Sequence, residues 1–382
     1  MIQRLCFAAP RIVLAESYRA LAHSTERLGA PEEIAAHIDW ETCAAQRRRL
    51  DALGFGVAEA MDTAQRFALG WKTAERLIQR TGALGLANGF VAGASADHLP
   101  PGSTLAELIE GVAFQARVIE EAGGVPILLP LALLARRRSC EDEYVEVYRA
   151  LFERLRGPVL VHWLGAMFLP ELEGYFPGRS FERVMALAPE KVRGAKLSLL
   201  DARLEVRLRR ELLARDQLLF TGDDLHFSRL ILGGDPESSI DAAPAVQRTV
   251  DFAGRTVALG DFSHALLGVL DGIAAPARAA LDRLQAGDAR GYLERMLPLE
   301  ELGRWIFREP TRHYRAGLAF LSWVDGRQPN PMLANHEERA RDADYYRRLF
   351  ELALAAGALA DPAVARRRLA GLERESPSRW AR

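Results

Sequence analysis

Lysine is nearly missing from this chain. Of its 50 Lys and Arg residues only Lys72, Lys191 and Lys196 are lysine, so wherever a plain positive charge suffices the sequence uses arginine. Arginine stays protonated under essentially all conditions, whereas lysine loses its proton readily when desolvated and then serves as a base or an amine nucleophile. Cysteine is scarce too: Cys6, Cys43 and Cys140 are widely separated, odd in number and match no metal-ligand spacing. That excludes a disulfide framework and reads as reduced thiols in the cytoplasm. The first residues hold no sustained apolar core of signal-peptide length before Arg11, and no segment has the roughly 18 uncharged apolar residues of a membrane helix. No GxGxxG follows the first strand candidate, no loop is built to cradle phosphate, and no HxH or HExxH spacing occurs. With a formal net charge of −1, nothing points to a polyanion such as nucleic acid as partner.

What is present is an alternation of short apolar runs with longer amphipathic ones, the pattern of strand, helix, strand, helix around a buried parallel sheet. The strand candidates are RIVLAE (11–16), GVAEAMD (56–62), ANGFVAGA (87–94), VPILLPL (125–131), PVLVHWL (158–164), GAKLSLL (194–200), LLFTGDD (218–224) and TVALGDF (256–262). Helical patterns such as STLAELIEGVAFQARVIEEAG and ARLEVRLRRELLARD lie between them. Eight strands each followed by a helix predict a (β/α)8 TIM barrel, with an open doubly wound sheet as the structural alternative. The barrel is expected over 1–272 and a C-terminal helical extension over 273–382. The polar, turn-rich stretch 233–255 between the seventh and eighth strand candidates is expected to border the active face as a lid.

Barrel chemistry is expected at the carboxyl ends of the strands. Polar residues crowd there: Glu59 and Asp62; Ser95, Asp97 and His98; His162 and Trp163; Lys196 and Ser198; Thr221, Asp223, Asp224 and His226; and Asp261, Ser263 and His264. Asp201 reads instead as the cap of the next helix, and a cap is an alternative for Asp261 as well. Half of the eight histidines fall at these ends. Lys196 sits inside an apolar strand, where burial lowers a lysine pKa by up to about 3–5 units. A neutral amine attacks a carbonyl to give a Schiff base, whose protonated form withdraws electrons from the adjacent carbon and lets a neighbouring bond break. His162 on the adjacent strand is the candidate acid/base, with His264 next.

GAKLS, followed some residues later by LLFTGDDLHFSRLILGGD, resembles the Schiff-base strand and "GDD…GG" segment of the dihydrodipicolinate synthase and N-acetylneuraminate lyase superfamily. The whole chain looks like a bacterial family of unknown function labelled dihydrodipicolinate-synthase-like. The resemblance implies a barrel with extra C-terminal helices, a homodimer or homotetramer, no cofactor beyond the imine, and Lys196 as the imine-forming lysine. The superfamily's Gly-Thr-Thr-Gly-Glu run, which holds the carboxylate of pyruvate, is replaced here by EAMDT, and its strand-five tyrosine by His162. Two carboxylates at that place would repel a 2-oxo acid.

The expected activity is therefore a cytoplasmic lyase or aldolase of the Schiff-base type. Its small-molecule substrate is expected to be a keto-sugar or sugar-acid derivative, with Glu59, Asp62, Asp97, Trp163, Ser198, Thr221, Asp223, Asp224 and His226 around it. A second reading is a divalent-metal epimerase, isomerase or aldolase with ligands from Glu59, Asp62, Asp223, Asp224, His226 and His264. A third is a barrel that binds a ligand without turnover.

Overall fold

Eight short parallel strands close into a barrel in the order β1 (Cys6–Ala8), β10 (His264–Leu267), β7 (Leu218–Thr221), β6 (Val192–Ser198), β5 (Val159–Leu164), β4 (Val125–Leu128), β3 (Phe90–Ala94), β2 (Gly56–Glu59). The computed structural model describes residues 4–100, 102–237 and 242–375. Helices separate consecutive barrel strands, as the (β/α)8 reading requires. Their starts are written locally. Asp39 caps Trp40–Ala52 by accepting from Thr42 N, Thr104 and Glu107 form a capping box on Leu105–Glu121, and Asp201 caps Ala202–Leu213.

Alternation along the strands divides the side chains between two cores. Val159, Val161, Ala195, Leu197 and Leu219 point outward into the large cluster shared with the helices. Leu160, Leu218, Phe220 and Leu266 point inward and fill the barrel. On β6, Gly194, Lys196 and Ser198 therefore share the inner face. The outer cluster continues without a break into Ala289–Ile306, Tyr314–Val324 and Ala343–Ala355, so barrel and C-terminal helices share one core. The boundary expected at 272/273 falls within the helix Leu270–Gln285, and residues 376–382 of the expected extension lie outside the described residues.

Two strand assignments differ from the sequence reading. The first barrel strand is Cys6–Ala8, upstream of RIVLAE. In that run Arg11 is buried, donating to Asp271, Ser322 and Gln328. Ile12, Val13 and Leu14 pack in a satellite cluster with Tyr18, Ile34 and Met332. The last barrel strand is His264–Leu267, because TVALGDF belongs to an antiparallel hairpin of β8 (Val246–Phe252) and β9 (Arg255–Gly260). Ala253 and Gly254, with φ of 54° and 73°, make the tight turn that joins them.

The hairpin also corrects the expected lid. Its apolar residues Phe252, Val257 and Leu259 join the inner barrel core beside Phe7 and Phe220. Arg255 donates to the carbonyl of Asn88, ahead of β3, and Arg193 at the start of β6 donates to that of Asp251. The 246–255 part of the expected lid thus plugs the amino-terminal mouth, opposite the strand ends where the chemistry was expected. Residues 238–241 of the stretch lie outside those described. Phe252→Ala should lower unfolding free energy by about 3 kcal/mol in a denaturant titration while leaving borohydride trapping at Lys196 unchanged. A change in trapping without loss of stability would restore the lid.

Candidate active site

His162 and Lys196 are register partners on β5 and β6, so their side chains emerge side by side on the inner face. A cavity at the carboxyl end is lined by both, with Ser198, Asp224, Asp62, Thr63 and the Tyr314 hydroxyl as the other polar groups. Burial pushes the Lys196 amine below the ordinary lysine range, opposed by the carboxylates of Asp224 and Asp62. Burial likewise pushes the Asp224 carboxyl up, opposed by Val269 N–H, which donates to it at 3.1 Å, and by Lys196. Each group of the pair is thus held towards its neutral form.

Burial and the neighbouring Lys196 charge hold His162 well below the usual histidine range, so its ring is held towards the neutral form. Nε2 lies 3.2 Å from Ser198 Oγ, and Nδ1 is buried with no partner among the described residues. A buried orphan of this kind is at home where a substrate or water completes the set.

The opposite wall comes from the C-terminal helices. Tyr314 Oη donates to Asp62 Oδ2 at 3.0 Å and lies 2.9 Å from Thr63 Oγ1, and its ring stacks on Phe307 at 4.4 Å. Arg315 donates to Asp62 at 2.6 Å and grips Glu337 through Nε and Nη2. Burial and the Asp62 charge hold the Tyr314 phenol well above its ordinary range, so it remains a donor. The sequence reading missed Thr63, Phe307, Tyr314 and Arg315. Thr63, next to Asp62, carried a local signal, but the other three lie far along the chain, in or just after helices whose pattern reads only as core.

Several expected site residues face elsewhere. Glu59, Trp163 and Thr221 are one residue out of phase with the inner face. Glu59 is fully buried behind the barrel, where Arg47, Thr81 and the Ala60 N–H saturate it. Trp163 packs on Phe176 and Phe181. Thr221 donates to Glu205, as does Ser263; burial pushes that hidden carboxyl up to about 8. His264 does point inward, but at the amino end of β10. Leu5 N–H donates to its Nδ1, its Nε2 meets the Ala258 carbonyl, and burial pushes it down to about 3.

Asp97 pairs with Arg66 and Gln115, His98 packs between Trp71 and Phe114, and the backbone N–H of Ser95 donates to Gln115. Asp261 pairs with Arg209 and Arg210. Asp223 accepts from His226 Nδ1 at 2.8 Å, and His226 lines a separate groove with Arg203 and Arg229. The six residues expected as metal ligands therefore do not converge: Glu59 is saturated and His264 is at the other end. Among the described residues no three of His, Cys, Asp and Glu form a metal-holding group. Nor is any described helix long and apolar enough to cross a membrane.

Gly222 leaves room for the lysine. Its N–H donates to the Leu197 carbonyl at 2.6 Å, and a Cβ there would stand 2.2 Å from Ser198 Oγ and 2.7 Å from Lys196 Cε. Gly222→Ala should leave circular dichroism native-like and cut carbonyl trapping at Lys196 by at least about tenfold. Undiminished trapping would show that the lysine does not depend on this close approach.

A family described as "Protein of unknown function (DUF993)" matches residues 2–374. No curated protein matches the chain. The fold is similar to that of chloride-inhibited dihydrodipicolinate synthase from Acinetobacter baumannii complexed with pyruvate. That structure has a TM-score of 0.62 and 13% identity, covering 94% of this chain and 100% of that one. Dihydrodipicolinate synthase from Agrobacterium tumefaciens str. C58 superposes with a TM-score of 0.55 and 14% identity, covering 92% of this chain and 99% of that one. A Sulfolobus solfataricus 2-keto-3-deoxygluconate aldolase variant in complex with L-2-keto, 3-deoxy-galactonate gives 0.55 and 11%, covering 92% and 96%. At these identities the likeness establishes the shared barrel.

Proposed function

The chain belongs to the DUF993 family, and we propose that it is a lyase that forms an imine between Lys196 and a small carbonyl substrate. The placement of Lys196 carries this reading: it sits on the inner face of β6 at the carboxyl end, with its ammonium disfavoured by burial and a protonatable carboxyl, Asp224, facing it. The barrel held in common with enzymes named dihydrodipicolinate synthase and 2-keto-3-deoxygluconate aldolase supports it by analogy.

The neutral Lys196 amine adds to the carbonyl carbon. Asp224, held towards its protonated form, gives a proton to the departing hydroxyl, and water leaves as the imine forms. His162 takes the proton of the substrate hydroxyl one carbon beyond the α position. The C–C bond breaks, its electron pair moves to the iminium nitrogen as an enamine, and an aldehyde departs. His162 then returns the proton to the enamine carbon, and water hydrolyses the imine to free the second product. Ser198 at Nε2 steadies the ring throughout.

Incubation with acetone, hydroxyacetone and pyruvate, each followed by cyanoborohydride, should add a reduced adduct that peptide mapping places on Lys196 for at least one of them. Lys196→Arg should abolish it. The rate should rise with pH well below the ordinary lysine pKa of about 10.4, as the amine loses its proton, and fall at higher pH as Asp224 loses the proton that dehydration needs. Because the Asp224 carboxylate favours the ammonium form, Asp224→Asn should move that profile to lower pH. An adduct that survives Lys196→Arg, or a profile that follows ordinary lysine, would contradict the reading.

A further inference from the structure

The charges around the cavity are one-sided. Among the described residues that line it, Lys196 is the only Lys or Arg, and it must be neutral to attack. Asp62 and Asp224 are the carboxyl groups, and the Asp62 side chain remains 43% exposed. The guanidinium that reaches Asp62, Arg315, is committed: Nη1 donates to Asp62, and Nε and Nη2 to Glu337 at 2.9 and 2.8 Å. A substrate carboxylate or phosphate would be desolvated beside Asp62 without a cation to meet it, and an unpaired buried charge is costly.

The walls are correspondingly apolar. Phe307 and Tyr314 stack at 4.4 Å with 17° between their planes, and Phe168 stands edge-on to both at 6.4 Å. Leu129, Leu164 and Leu169 extend this surface, and Phe67, also on the lining, is 56% exposed. Trp163, the stacking platform expected for a sugar, faces the helices.

We propose that the substrate is an uncharged aldehyde or ketone, free of carboxylate and phosphate, with an apolar or aromatic group against Phe168, Phe307 and Tyr314. Asp62 is the specificity residue that turns acids away. This rests on the imine reading of Lys196 and narrows it to one substrate class.

Two 1,3-diketones form a matched pair of probes: benzoylacetone, and benzoylpyruvate, which carries a carboxylate in place of the methyl group. A neutral lysine adds to one carbonyl of either, loses water and shifts a proton from the central carbon to leave a conjugated enaminone, with no redox step. Labelling of the whole protein is followed by enaminone absorbance and by mass mapped to Lys196, each rate being divided by the rate with butylamine to remove intrinsic reactivity. Benzoylacetone should label Lys196 at least about tenfold faster than benzoylpyruvate on this scale, and Asp62→Asn should narrow the gap by speeding the acid.

Equal or faster labelling of Lys196 by benzoylpyruvate would overturn the substrate class and leave the imine standing. Trapping of hydroxyacetone at Lys196 without any benzoylacetone label would overturn the apolar part. No label from either diketone and no trapped hydroxyacetone, acetone or pyruvate would remove the imine reading, and this inference with it.

Discussion

The proposed imine chemistry depends on keeping one amine uncharged inside a closed barrel. Water would hold Lys196 as ammonium. The inner face of β6, walled by the neighbouring strands and by Phe307 and Tyr314, withdraws that water and tips the group towards the free amine. The same desolvation acts on Asp224 and His162, pushing the carboxyl towards its protonated form and the imidazole towards its neutral form beside it. One physical cause thus prepares three groups, and none requires a metal or a distant charge to set its protonation state.

The C-terminal helices extend that desolvation. A barrel alone would leave the carboxyl mouth open, but Phe307 and Tyr314 close one side and Arg315 ties Asp62 to Glu337. Glu337 also accepts from Gln65, and Gln65 accepts from the Ala334 N–H, so the segment after Tyr314–Val324 is fastened to the loop after β2. At the far mouth the β8–β9 hairpin supplies Phe252 under Phe220, sealing the inner core from below. Buried ion pairs such as Arg47–Glu59 belong to the scaffold around this centre: Glu59 is spent holding the helix Trp40–Ala52 to β2. Removing one partner of such a pair leaves an uncompensated buried charge, which accounts for the full set of hydrogen bonds on Glu59.

The barrel was legible because its strands and helices carry distinct periodicities, and Lys196 because lysine is so rare in the chain. The misplaced residues share a cause that the sequence also contained. Side chains alternate along a strand, so with Lys196 inward, Ala195 and Leu197 must be outward. The same rule applied to β5 puts His162 inward and Trp163 outward, and on β7 Phe220 inward and Thr221 outward. Position near a strand end was the wrong criterion without phase. His264 differs: its phase is right, but reading TVALGDF as the last strand moves the histidine from the amino end of β10 to the carboxyl rim. The hairpin resembles a barrel strand because both are short apolar runs, and only the turn at Ala253 and Gly254 sets it apart. Tyr314, Phe307 and Arg315 had no local signature, because their role arises from packing across hundreds of residues.

The protonation state of Lys196 can be read directly. The chain has only three lysines, so reductive methylation with 13C-formaldehyde yields a small set of dimethyl-lysine signals, and Lys196→Arg assigns one of them by its disappearance. Titrated by NMR, that signal should move with pH well below the ordinary lysine range near about 10.4, and further down in Asp224→Asn. A Lys196 signal that titrates in the ordinary range would contradict the account, because the amine would then be an ammonium ion under working conditions and unable to attack a carbonyl.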